Sequence, residues 1–181
     1  MRRWMLIIVA GLCLLTGCMG SAPIRPADGP DKAMAFGNIT IPGKVLTGVA
    51  LYKYGEIYAP PFKSPPRSHT YTNGNFFFEN LEPGKYYLVS FMSSGNEIYY
   101  FNYSGLEKED IEQSLIDVKP GAVVYLGSYK VTGVTDHFLR QDTFDIEQVR
   151  QPGEKTILQH LKEATAQTGW DQKIAKRLAR L

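Results

Sequence analysis

The side chains best suited to nucleophilic or metal chemistry in this 181-residue chain are two thiols, Cys13 and Cys18, and three imidazoles, His69, His137 and His160. A metal site gathers such ligands at short spacings, and none of the three histidines has another at ligand spacing. An activated serine of the hydrolase type would sit in Gly-x-Ser-x-Gly, and a phosphate cradle would need a glycine-rich loop ahead of a helix. Neither pattern occurs. The acidic run Glu107, Glu109, Asp110 and Glu112 lacks the spacing of a calcium loop and reads as a solvated face. The sequence therefore predicts no catalytic residue, no metal and no cofactor, and a chain that is not an enzyme.

The exception is Cys18. Arg2 and Arg3 precede Trp4 to Leu15, an apolar run without charge. That run is shorter than the roughly 20 residues a spanning helix requires, and with its cationic head it has the form of a secretory signal. It ends in Leu15, Thr16, Gly17 and Cys18, which resembles the lipobox of bacterial lipoproteins. Small residues fit the signal peptidase cleft, and the free thiol takes up a diacylglyceryl group. Residues 1–17 would then be a leader. Its removal takes Arg2, Arg3 and Cys13 away, leaving 164 residues with 18 basic and 18 acidic side chains. With Cys18 acylated no thiol remains for a disulfide or a metal. Several acyl chains hold a protein to a membrane firmly, each buried CH₂ contributing about 0.8 kcal/mol. Met19, where an aspartate would signal retention, implies the outer membrane, with the body facing the periplasm.

A net charge of +2 over the full chain, balanced after cleavage, offers no basic face for nucleic acid. What stands out is aromatic: 11 Tyr and 9 Phe beside 17 Gly and 11 Pro, the mixture of short strands and tight turns. Tyr52, Tyr54, Tyr58, Phe62, Tyr71, Tyr99, Tyr100 and Tyr103 are more tyrosine and phenylalanine than one small core needs. A ring supplies contact area and the hydroxyl a hydrogen bond, so such a face takes a sugar or an extended peptide.

The elements that would carry this face follow from periodicity. Residues 18–32, with three prolines and few bulky apolar side chains, read as a solvated tether. Ala33 to Ile41 alternates weakly. Val45, Val49 and Leu51 oppose Ala50, Tyr52 and Tyr54, a strand with a period of two. Gly55 to Thr70 holds four prolines and is excluded from any central strand. Further strands are predicted at Asn75–Phe78, Lys85–Met92, Glu97–Tyr103, Leu115–Val118, Ala122–Val131 and Thr143–Val149, and a helical turn at Leu106–Gln113. About seven short strands with regular turns make an antiparallel sandwich or barrel over 33–150. From Pro152 the period changes: Ile157, Leu158, Leu161 and Ala164, then Trp170, Ile174 and Leu178, predict one broken helix or two short ones over 151–181. Such a helix either packs on the sandwich edge or docks elsewhere through its basic face and Trp170.

Gly43-Lys44-Val45, Gly48-Val49-Ala50-Leu51-Tyr52, Thr72-Asn73-Gly74-Asn75-Phe76-Phe77-Phe78 and Leu81-Glu82-Pro83-Gly84-Lys85-Tyr86 occur in a known order. They resemble the carboxypeptidase regulatory-like domain, a transthyretin-like, immunoglobulin-like sandwich of seven strands. The resemblance is good over Ile39 to Met92. Its motifs are structural: Phe76 and Phe78 share one side of a strand, Pro83-Gly84 suits the middle of a type II turn, and Tyr86 and Leu88 return on one face. This family is an accessory module of peptidases, receptors and surface proteins, and it brings no catalytic residue. The reading is a membrane-anchored lipoprotein that binds or scaffolds a protein partner of the envelope, through the proline loop and the Trp170 helix. The alternative is a module for peptidoglycan or surface glycan, through the tyrosine face.

Overall fold

The computed structural model describes residues 23–58, 63–101, 112, 114–135 and 143–181. The chain is mostly β. Nine strands are described: β1 (Ala33–Thr40), β2 (Leu46–Lys53), β3 (Ser68–Thr70), β4 (Asn75–Leu81), β5 (Gly84–Ser93), β6 (Ile98–Tyr100), β7 (Ile116–Val118), β8 (Val123–Thr135) and β9 (Thr143–Val149). Two helices follow, α1 (Glu154–Ala164) and α2 (Trp170–Leu178). The helical turn expected at Leu106–Gln113 lies outside the described residues apart from Glu112, as does His137.

Two sheets form a sandwich. One has the order β3-β4-β1-β8-β9; in the other, β2 and β6 flank β5, and β7 joins β5 further along. The expectation of a purely antiparallel sandwich is corrected here. β1 runs antiparallel to β4 but parallel to β8, pairing Met34 with Val123 and Ile39 with Tyr129, so the five-stranded sheet is mixed. The strand count rises as well. β3 emerges from the end of the proline-rich segment as a three-residue edge strand on β4, since prolines bar a central position but not an approach to an edge.

β1 shows why its alternation is weak in the sequence. Ala33, Ala35 and Ile39 enter the core between the sheets, beside Phe76, Phe78, Leu51 and Phe91. Met34 and Phe36 point the other way, onto Ile157, Leu158, Leu161, Trp170 and Ile174 of the helices. A strand buried on both faces has no polar side to display. The helices thus cover the outer face of the five-stranded sheet rather than an edge of the sandwich, and the body has three layers.

The motif residues behave largely as their types require. Phe76 and Phe78 lie in the inter-sheet core with Tyr86 and Leu88, and the Tyr86 hydroxyl donates to the Glu82 carbonyl oxygen at 2.8 Å. Gly84, however, already begins β5 with a φ of 151°, where a type II turn would hold roughly 80°.

Residues 23–32, expected to be part of a free tether, instead run as a strap over the body. The Arg25 amide and guanidinium donate to Glu79 at 2.8 Å each, and Asn80 exchanges bonds with Asp28 and Pro26. Trp170 Nε1 donates to the Arg25 carbonyl at 3.1 Å, and the Ala27 amide to Thr168 at 3.0 Å. Lys173 donates to the carbonyls of Gly29, Pro30 and Lys32, and Lys32 pairs with Glu82. A backbone poor in apolar side chains is held here by its own polar groups.

At the other end of the sandwich, Lys44 Nζ lies 2.6 Å from Glu97 Oε2, which also accepts from Ser93 at 2.6 Å and Tyr99 at 2.8 Å. The Lys44 ammonium, then the Ser93 and Tyr99 hydroxyls, hold the Glu97 carboxyl at about 2, well below its ordinary 4.5. A depressed carboxyl contributes stability that is complete above its unfolded value and is lost as pH falls through its folded one. We therefore expect Glu97→Gln to unfold at lower urea than wild type by a constant margin between about pH 5 and 7. That margin should close between about pH 4.5 and 2. A margin unchanged at pH 2 would assign it to packing instead of charge.

Candidate functional site

The period of two along β2 sends Val49 and Leu51 into the core, and β5 adds Leu88 and Phe91 on either side of a break in its pairing register, leaving their neighbours on the outer face. Register aligns Gly48, Met92 and Ile98 in one row, Ala50, Ser90 and Tyr100 in the next, and Tyr52 with Tyr87 in a third. The face is small-sided along β2 and bulky along β6, where Ile98 and Tyr100 are 41% and 45% exposed. Both helices pack on the opposite sheet, and these two large side chains face solvent. Tyr52 ends the face against Tyr58 (centroids 4.6 Å apart) and Tyr87 (6.2 Å).

Tyr58 connects this face to a crevice of about 620 Å³ between residues 53–58 and 63–69, the start of the strap at Pro23 and Arg25, and the end of β4. Lys63 pairs with Glu56 at 2.7 Å, Lys53 approaches the same carboxylate at 3.7 Å, and the Lys63 ammonium lies 5.6 Å over the Tyr58 ring. The bond to Lys63 is the main reason the Glu56 carboxyl is held below its ordinary range; burial pushes the Tyr58 phenol up. Arg67 is exposed and makes no ion pair among the described residues.

The crevice floor is a buried His69–Glu79 pair. His69 stands opposite Phe77 in the β3–β4 register and stacks on its ring at 4.6 Å, so Glu79, two residues further along β4, comes within 3.4 Å of its Nε2. That nitrogen makes no hydrogen bond, while both Glu79 oxygens accept from Arg25. No hydroxyl among the described residues bonds His69. The described residues also contain no group of three His, Cys, Asp or Glu placed to hold a metal, and no helix long and apolar enough to cross a membrane.

Comparison with family models, curated proteins and solved structures finds no match for this chain.

Of the residues singled out in the sequence, Tyr52 and Tyr58 meet, and Tyr54 lies exposed just past the end of β2. Tyr71 belongs elsewhere: it is half-buried against Phe77 on the helix side of the other sheet. Trp170 is corrected outright. It is fully buried in the helix–sheet core and is no surface residue, and Tyr99 is likewise core. Phe62 and Leu15, Thr16, Gly17 and Cys18 lie outside the described residues. The sequence reading missed Tyr87, because the run Lys85 to Met92 has no clear alternation. It also missed the role of His69, a lone imidazole whose partner stands on another strand.

Proposed function

We propose that this chain is an envelope lipoprotein, acylated on Cys18 and held at the outer membrane, whose transthyretin-like sandwich is a non-catalytic binding module for a protein partner. The observation that carries the reading is the open outer face of β2, β5 and β6, with Ile98 and Tyr100 in solvent while the other sheet is covered. Exposed Ile98 and Tyr100 along β6, with the small Gly48 and Ala50 on β2 across β5, suit a flat protein surface, where buried aromatic anchors dominate the energy. The glycan alternative needs an exposed ring face. Tyr52 and Tyr58 are each half-buried and meet one another, which leaves Tyr54 and Tyr100 as the exposed rings for it.

A photo-crosslinking side chain placed at Tyr100 or Ile98 in cells should yield one discrete adduct of higher mass, and the same group at Gln148 should not. Ala50→Arg should abolish the adduct, and Cys18→Ser should leave the protein in the soluble fraction with the adduct lost. Equal adducts from all three positions would overturn the reading of this face. Retention on purified peptidoglycan that fails on Tyr52→Ala would favour the glycan reading.

A further inference from the structure

The strap fixes where a lipid on Cys18 can lie. Only four residues separate Cys18 from Pro23, which lines the crevice, so the two are five chain steps apart. At no more than about 3.5 Å per residue, the acylated sulfur stays within roughly 17 Å of the crevice mouth. The strap is held against peeling, which would lengthen this tether, by the two bonds from Arg25 to the buried Glu79 and the bond from Trp170 to its carbonyl. The mouth is also a place where charge does not cancel. Glu79 is matched by Arg25 and Glu82 chiefly by Lys32, with a weaker influence of Lys53, whereas the ion pairs of Lys53 and Lys63 share Glu56 alone and Arg67 makes none among the described residues. The basic end of α2 also keeps Lys176 and Arg180 without an ion pair among the described residues, although Arg177 is paired with Glu154 at 2.7 Å and Lys173 is committed to strap carbonyls. What separates the two surfaces is that no residue of α2 lines the crevice at Pro23.

The geometry points to a membrane-facing surface: the crevice mouth, through Lys53, Lys63 and Arg67, rests on the anionic phosphate headgroups of the bilayer in which the Cys18 lipid is seated. This inference rests on the acylation proposed above. Once the lipid is inserted, the tethered mouth meets headgroups at high effective concentration. Each basic side chain near an anionic surface then favours the docked orientation roughly fivefold. Two net charges suffice to orient a body that the anchor already holds close.

The test uses the mature acylated chain reconstituted in vesicles bearing a headgroup quencher. Its sole cysteine is acylated, so Ser64→Cys at the mouth, Gln148→Cys on β9 and Ala179→Cys beyond α2 each accept one thiol dye. In phosphatidylethanolamine–phosphatidylglycerol vesicles the dye at 64 should be quenched several-fold more than at 148 or 179. The difference should vanish in phosphatidylcholine vesicles, at high salt, and in Lys63→Glu/Arg67→Glu, whose circular dichroism should match wild type. Co-flotation with equal quenching at all three positions, or strongest quenching at 179, overturns the orientation while leaving the anchor intact. An unacylated mass and no co-flotation overturn both.

Discussion

Trp170→Ala should destabilise the folded chain by about 4 kcal/mol, the range for removing a large aromatic from a packed core. The indole is fully buried among Met34, Phe36 and Phe77 of the sheet and Ile157, Leu161 and Ile174 of the helices. Its Nε1 donates to the Arg25 carbonyl, and Lys173 lies 4.9 Å over its ring. One truncation therefore opens a cavity between two layers and releases the strap. Trp170→Phe keeps most of the volume but loses the bond, a smaller cost of about 1–2 kcal/mol. Urea unfolding followed by circular dichroism gives both values. A Trp170→Ala cost below about 1 kcal/mol would mean that the helices are only loosely attached. The chain has two indoles, Trp4 in the proposed leader and Trp170, so in a chain beginning at residue 18 the fluorescence reports the helix layer directly. Fluorescence and far-ultraviolet transitions should coincide in wild type if the three layers melt as one unit.

How much of this was legible depends on what decides each feature. β2 could be read because one of its faces meets solvent: Val49 and Leu51 alternate with Ala50 and Tyr52. The outer packing of α1 and α2 was half legible. Their apolar stripes were plain, but an edge and a face look alike from the helix side alone. β1 could be located but not oriented, since no local pattern records that Met34 pairs in parallel with Val123, 89 positions away. The strap was misread for the same reason. Pro23 to Lys32 carries almost nothing apolar, and the groups that hold it (Glu79, Asn80, Trp170 and Lys173) are supplied by distant elements. In the candidate site, Tyr52 and Tyr58 are near in sequence and were found together, whereas His69 acquires its setting only through the β3–β4 register.

Gly74→Ala is the second large effect expected, at roughly 3 kcal/mol or more, and it separates two costs that usually travel together. Gly74 holds a φ of +82° in the turn before β4, a region that charges an L residue about 1–2 kcal/mol. In addition, a Cβ there would stand 2.5 Å from the Ile39 carbonyl oxygen and 3.1 Å from its carbon. That carbonyl cannot swing aside freely. The Ile39 amide donates to the Gly74 carbonyl at 2.9 Å, Ile39 is paired with Tyr129 across the parallel ladder, and its side chain is fully buried. Asn38 further pins the turn through Asn73 and Asn75 at 3.0 and 2.8 Å. Gly43 supplies the control, with a φ of +71° and open space where its Cβ would lie. Gly43→Ala should cost only the dihedral term, about 1 kcal/mol. Equal urea midpoints for the two variants would show that the approach of β1 to the turn carries no weight. A gap of about 2 kcal/mol would make this turn the device that aligns β4 on β1. Because β4 also carries Glu79 to the crevice floor, Gly74→Ala should weaken the seating of the strap at Arg25, seen as faster proteolysis at residues 23–32 under native conditions, while Gly43→Ala leaves it unchanged.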